Sequence, residues 1–319
     1  MRRYNCKIYI TAVALLASLM LSLVSCRGEE KEPQDDALTL TDALGREVTL
    51  EKNPSRVAAL LGSFADVWVL AGGVLVAAPQ DAWEDFGLDR TGVVDLGGAH
   101  SPSLEALVSA SPDLVLASAS TASNVEMLGT LEAMGIAVVY FDVDHFEDYL
   151  SMLDVCTQLT GRRDLYEQNG LAVKRQIDEI KERYASSEIP EAERKILLLR
   201  AASSFVKAKG SRGTILGEML SDMGCINVAD QNEGLLENLS AEAVIREEPY
   251  RIFVVTMGNS TEAAEASLEK LIKENPAWGT LGAVREGRLY VMDKTLFNLK
   301  PNDRWAESYE ILYEKLTEK

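Results

Sequence analysis

Asp164-Leu-Tyr-Glu-Gln-Asn-Gly-Leu-Ala-Val-Lys-Arg-Gln-Ile-Asp-Glu-Ile-Lys-Glu-Arg-Tyr184 decides the fold, because it cannot be a strand. Tyr166, Gly170, Val173, Ile177, Ile180 and Tyr184 recur by threes and fours, which puts them on one helix face. Lys174, Arg175, Asp178, Glu179, Lys181 and Glu182 take the opposite face. At 1.5 Å per residue such a helix is about 30 Å long, enough to cross a small domain. Before it, Phe146 to Thr160 reads as another helix, stopped at Gly161. After it, Ser186 to Arg194 reads as a polar loop around Pro190.

On both sides of this segment the pattern changes. Apolar runs at Val57–Leu61, Val74–Ala78, Leu114–Ala117 and Val138–Phe141 precede it. Ile196–Leu199, Ile252–Val255 and Leu289–Met292 follow it, and stretches with helical spacing lie between the runs. Strand and helix in alternation predict parallel sheets covered by helices. A hairpin is expected to open the folded part, with Leu38–Thr41 and Arg46–Leu50 around Ala43-Leu44-Gly45. The expected class is therefore α/β. Two lobes with mostly parallel sheets, residues 38–145 and 191–319, are joined by a rigid helical segment over 146–190.

An internal echo supports two related lobes. Ser103-Leu-Glu-Ala-Leu-Val-Ser-Ala-Ser-Pro112-Asp-Leu-Val-Leu and Ser240-Ala-Glu-Ala-Val-Ile-Arg-Glu-Glu-Pro249-Tyr-Arg-Ile-Phe share Ser, Glu, Ala and Pro in one register. Each predicts a helix with Glu in its first turn, a stop before proline, and a buried strand.

The chain begins with Arg2, Arg3 and Lys7, then an uncharged run from Ile8 to Val24, then Leu23-Val24-Ser25-Cys26. This layout predicts a cleaved signal peptide over 1–25 ending in a bacterial lipobox. Cys26 would carry the lipid, since stable anchoring takes more than one acyl chain. Residues 26–37 are polar and charged and predict a flexible tether. The formal net charge of −18 argues against nucleic acid and against an anionic lipid surface, leaving the lipid anchor as the membrane contact. Of four cysteines, only Cys156 and Cys225 remain for the folded part. Both read as buried thiols, with a disulfide between them left open. With only two histidines, His100 and His145, a clustered zinc or manganese site is not expected. No G-x-S-x-G, H-E-x-x-H or glycine-rich phosphate loop is visible, so an extracytoplasmic enzyme ranks below a binding protein.

Further motifs carry a resemblance. They are Thr41-Asp-Ala-Leu-Gly-Arg-Glu-Val-Thr-Leu50, Pro54-Ser-Arg-Val-Ala58 and Gly213-Thr-Ile-Leu…Leu220-x-x-Met-Gly224. Asn275-Pro-Ala-Trp278…Gly287-Arg-Leu-Tyr-Val-Met-Asp293 completes the set. With the lipobox, the two Ser-x-Glu-Ala segments and the mid-chain helix, the chain resembles the iron-siderophore, haem and cobalamin group of ABC-transporter substrate-binding proteins. The resemblance implies two lobes with a ligand cleft between them. It implies a monomer that captures a ferric siderophore, haem or a corrinoid, needs no cofactor and delivers its cargo to an ABC permease dimer. It also implies that Glu105 and Glu242, one per lobe, dock on permease arginines. Loops after strands should line the cleft. From those loops Ser63, Phe64, Trp83, His100, Arg200, Lys207, Arg212 and Trp305 are the candidate ligand contacts. Their aromatic and cationic members suit a large anionic ligand with flat apolar faces.

Overall fold

The computed structural model describes residues 36–258 and 260–318. The expected signal peptide, Cys26 and the tether up to residue 35 lie outside the described residues.

The hairpin forms as expected, with β1 (Ala37–Thr41) antiparallel to β2 (Glu47–Glu51). Its turn is organised by Asp42, whose buried carboxylate accepts from the Leu44 and Arg46 N–H groups, both at 3.0 Å. Gly45 sits at φ 76°, a left-handed position that glycine enters without a Cβ penalty.

Every apolar run read from the sequence becomes a strand. The first sheet holds β3 (Val57–Ala59), β4 (Leu75–Ala78), β5 (Val94–Asp95), β6 (Leu114–Ser118) and β7 (Ala137–Phe141). All its pairings are parallel, in the order β5-β4-β3-β6-β7. The second holds β8 (Lys195–Ala202), β9 (Phe205–Ala208), β10 (Ile226–Asn227), β11 (Arg251–Thr256) and β12 (Leu289–Met292). Here the parallel order is β10-β8-β11-β12, with β9 antiparallel on β8. Thus β4-β3-β6-β7 and β10-β8-β11-β12 repeat one strand order, which is the architecture behind the sequence echo. The runs are continuously apolar because both faces of each sheet are covered. In β8, Leu197, Leu199 and Ala201 enter one core cluster while Ile196 and Leu198 enter another.

That second cluster is shared. It runs from Val57 and Leu116 in the first sheet, through Val173 and Ile177, to Phe253 and Trp305 in the second half. The linking segment and the C-terminal helix Trp305–Thr317 therefore fuse the inner faces of both sheets, and the C-terminal helix packs along the linker with Arg183 paired to Glu310. Phe146–Thr160 ends at Gly161 in the left-handed conformation, as its sequence predicts.

The next helix departs from expectation. It is α-helical over Arg163–Tyr166 and Ala172–Ala185, but Glu167–Leu171 is a π-helical turn. Inserted side chains explain it. Tyr149 Oη donates to the Asn169 carbonyl at 2.7 Å, and Asn169 Nδ2 donates to the Leu70 carbonyl at 2.8 Å. Gly170 allows the close approach, since a Cβ there would stand 2.7 Å from Leu150 Cδ1. A side chain taking an intrahelical carbonyl is a recognised cause of such a bulge. The expected buried face survives, with Val173, Ile177, Ile180 and Tyr184 all buried. Cys156 and Cys225 are both free thiols, the first buried and the second half-buried.

Candidate ligand-binding site

In open parallel sheets, ligands bind beyond the strand carboxyl ends, where the strand order reverses direction. The first sheet reverses between β3 and β6, the second between β8 and β11. The two carboxyl edges meet. Lys294, just past β12, pairs with Asp85, just past β4, at 2.9 Å. Asn302 Nδ2 donates to the Ser63 carbonyl at 2.9 Å and to Asp66 Oδ2 at 2.7 Å. The candidate cleft is thus bounded by the loops after β3, β4 and β6 on one side and after β8, β11 and β12 on the other.

The first-sheet rim is tightly tied. Gly62 N–H donates to Asp81 Oδ2 at 2.9 Å, and a Cβ on Gly62 would lie 2.6 Å from the Ala82 nitrogen. Only glycine lets these two loops close on each other. After β6, Asn124 Oδ1 accepts from the Ser118 N–H, and the Ser118 and Ser120 hydroxyls are 3.0 Å apart.

The second-sheet rim is cationic. Arg200 on β8 stands directly opposite Lys207 on β9, and Phe205 and Lys207 alternate along that strand with Lys209 just past its end. Lys207 Nζ lies 5.3 Å from the centre of the Phe205 ring. Burial lowers the pKa of Arg200. Burial also lowers that of Lys209, with repulsion from Arg200 and Lys207 adding to it. Arg200 Nε is buried without a hydrogen-bond partner. Among the described residues, none of Arg200, Lys207, Lys209 and Arg212 is in an ion pair. In so acidic a protein, grouped cations with no carboxylate partner give this rim a locally positive field.

The eight candidate contacts are placed unequally. Arg200 and Lys207 stand together, Trp83 is half-buried under Arg90 at 4.8 Å, and His100 and Arg212 are exposed. Ser63 is buried, with its carbonyl taken by Asn302. Phe64 and Trp305 are corrected to core residues, both 0 % exposed. Phe64 packs edge-on to Phe141 and Trp305 packs on Phe146. Each opens the buried stripe of a helix, and for Trp305 the stripe continues through Tyr309, Leu312 and Leu316. Lys209, absent from the candidates, joins the cationic group; the Phe-x-Lys-x-Lys alternation was its signal.

Glu105 and Glu242 occupy equivalent places in the repeated strand order. The helix Leu104–Ser109 precedes β6 and the helix Ala241–Glu247 precedes β11. Ser103 and Ser240 cap them, each hydroxyl accepting from the N–H three residues on. Each segment then passes through a left-handed residue, Ser111 at φ 48° and Glu248 at φ 49°, before its proline. Both carboxylates are exposed.

Asp66 gives this region a pH dependence. Burial outweighs its hydrogen bond from Asn302, Asp303 adds repulsion, and its pKa rises from the ordinary 3.8 to about 6. The folded state therefore binds more protons than the unfolded chain between those values. Stability from this group is fully present below pH 3.8 and is lost as pH rises through about 6. Asp66→Asn keeps an oxygen for Asn302 and removes the buried charge. It is expected to raise unfolding stability at pH 7.5 by about 1–3 kcal/mol. Urea titrations should show the gain shrinking by pH 4.5; a loss of stability at pH 7.5 would refute it.

Comparison with known proteins agrees with this architecture. A family model described as periplasmic binding protein matches residues 57–296. Two Bacillus subtilis (strain 168) proteins are similar along nearly their full length. The uncharacterized ABC transporter substrate-binding lipoprotein YvrC is 23 % identical over 318 residues, covering 96 % of each chain. The Fe(3+)-citrate-binding protein YfmC is 26 % identical over 312 residues, covering 92 % of each. Among solved structures, Staphylococcus aureus SirA complexed with staphyloferrin B superposes with a TM-score of 0.67 at 21 % identity, covering 88 % of this chain and 98 % of that one. A periplasmic heme binding protein from Pseudomonas aeruginosa gives 0.66 at 22 % identity, covering 82 % and 92 %. These likenesses establish the two-lobed fold.

Proposed function

The chain belongs to the periplasmic binding protein family, and on that premise we propose that it captures an anionic ferric complex and hands it to a membrane importer. It is a substrate-binding protein of the ABC transporter kind, and binding without turnover is its expected activity. The observation that carries the ligand class is the unpaired group of Arg200, Lys207 and Lys209 at the rim of the second sheet. Ferric complexes of citrate or of carboxylate siderophores present charge of the right sign, and forked guanidinium donors match carboxylates two bonds at a time. The Fe(3+)-citrate-binding relative supports that class. In the same reading, lipid on Cys26 holds the protein at the outer face of the cell membrane. Glu105 and Glu242 then meet arginines of the permease dimer, and the rigid helical linker limits closure to a small lobe movement.

Trp83 is half-buried, whereas Trp68, Trp278 and Trp305 are fully buried, so Trp83 is the tryptophan placed to report binding. Fluorescence titration with ferric citrate and a ferric carboxylate siderophore should give Kd values below about 1 μM, an affinity of about 8 kcal/mol. Haem and cobalamin should bind at least about tenfold more weakly. Tighter binding of haem or cobalamin would overturn the anionic ferric reading, and no binding of any of the four would overturn capture itself.

A further inference from the structure

The loop that follows β9 is gripped through its backbone at Lys209, Gly210 and Ser211. Lys209 N–H donates to the Leu198 carbonyl at 2.9 Å, and the Lys209 carbonyl accepts from Asn227 Nδ2 at 2.8 Å. The Gly210 carbonyl lies 3.3 Å from Thr214 Oγ1, and a Cβ on Gly210 would stand 3.0 Å from Asp230 Oδ1. Ser211 is 8 % exposed, and its N–H donates to the same Asp230 oxygen at 2.8 Å. A buried N–H without an acceptor is costly, so Asp230 is what lets the chain turn inward here. On the other side the helix Ile215–Asp222 presses close, since a Cβ on Gly217 would lie 2.3 Å from the Ser211 carbonyl.

Asn227 and Asp230 come from one short segment. β10 pairs with β8 only through Ile226 and Asn227, and the 3-10 turn Val228–Gln231 follows at once. Asn227 caps that turn, its Oδ1 accepting from the Ala229 N–H at 3.2 Å. The segment thus stands against the loop that carries Lys209 and Arg212. Asp230 reaches the two residues between these cations, yet among the described residues it is in no ion pair. Its carboxylate is turned to backbone, which leaves the positive rim without neutralisation. Lys209 is repelled by Arg200 and Lys207, so a loose loop would swing it away from them. The held peptides resist that repulsion.

We propose that Asn227 and Asp230 are positioning residues for ligand capture, holding the Lys209–Ser211 backbone so that the cations of this rim are in place before an anion arrives. The proposal rests on the anionic ferric reading of the cleft. Groups ordered beforehand cost less to immobilise on binding. Ferric citrate and a ferric carboxylate siderophore are the probes, titrated by tryptophan fluorescence. Asp230→Asn keeps an oxygen for Ser211 and should bind no more weakly than the unaltered protein. Asp230→Ala removes the acceptor and should bind about tenfold more weakly, with the loss in faster dissociation. A purely electrostatic role predicts equal gains in affinity for both variants, because each removes a negative charge. A purely scaffolding role predicts a lower Tm for Asp230→Ala with Kd unchanged. Either result overturns the proposal. Another reading needs no variant: the Ser211 amide of the ligand-free full chain should be protected from hydrogen exchange, and protection that appears only with ligand overturns the proposal too. If the unaltered protein binds neither probe, the reading of the cleft falls and the positioning role with it. If it binds and Asp230→Ala binds as tightly, the cleft reading stands and the positioning role alone falls.

Discussion

Glu105→Arg combined with Glu242→Arg is expected to abolish ligand uptake while leaving ligand affinity within about twofold. The two carboxylates are exposed on rigid, serine-capped helices, in matching positions of a repeated strand order. Such a pair can address a two-fold partner surface with one charge-assisted contact per lobe. Breaking one interfacial charge pair typically costs about 2–5 kcal/mol, and reversal adds repulsion, so the double variant should dock at least about a thousandfold more weakly. Single reversals should leave partial uptake. The competing explanation is local: a first-turn Glu favours the helix dipole by about 0.3–1 kcal/mol and does nothing more. That explanation predicts a small fall in Tm and normal uptake. Uptake assays in cells, beside ligand titrations of the purified variant, separate the two; normal uptake, or ligand affinity lost along with uptake, sinks the docking role.

The parts of this protein visible in its sequence are those governed by local period. Continuous apolar runs named seven strands, and the three-four spacing of Val173, Ile177, Ile180 and Tyr184 named the buried face of the linker. Short strands carry too few residues to show a period, which is why β5 and β10, two residues each, were invisible. The π turn was invisible for another reason. It depends on Asn169 reaching the Leu70 carbonyl, a contact across 99 positions of sequence. The pins between the sheets, Lys294 with Asp85 and Asn302 with Ser63, are more distant still. Phe64 and Trp305 show the opposite failure. Their adjacency to loops suggested ligand contact, although the helix phase of each already assigned it to the core. The cationic rim lay between these extremes: its residues were visible, but their grouping needed β9 to fold back on β8.

Arg200→Gln with Lys207→Gln is expected to weaken binding of the ferric carboxylate ligand by about a thousandfold without destabilising the fold. Hydrogen bonds to charged groups contribute about 1.5–3 kcal/mol each, so losing two such partners accounts for the magnitude. The stability half of the prediction carries the discrimination. In the ligand-free protein Arg200 is partly buried with an unsatisfied Nε, and it stands beside Lys207 and Lys209, whose mutual repulsion is uncompensated. Removing two of three crowded cations relieves that repulsion, so the unfolding midpoint should stay level or rise. Sites kept ready for a charged ligand commonly hold the unliganded fold below its stability optimum. A structural role for these cations predicts the reverse, a fall in midpoint with affinity changed only in proportion. The ligand's association rate should also lose most of its salt dependence in the variant, since the steering field comes from the same cations. Stopped-flow binding at two ionic strengths, beside urea unfolding of both proteins, reads all three quantities. A fall in midpoint together with unchanged salt dependence would assign Arg200 and Lys207 to the scaffold and leave the cleft without its anion selector.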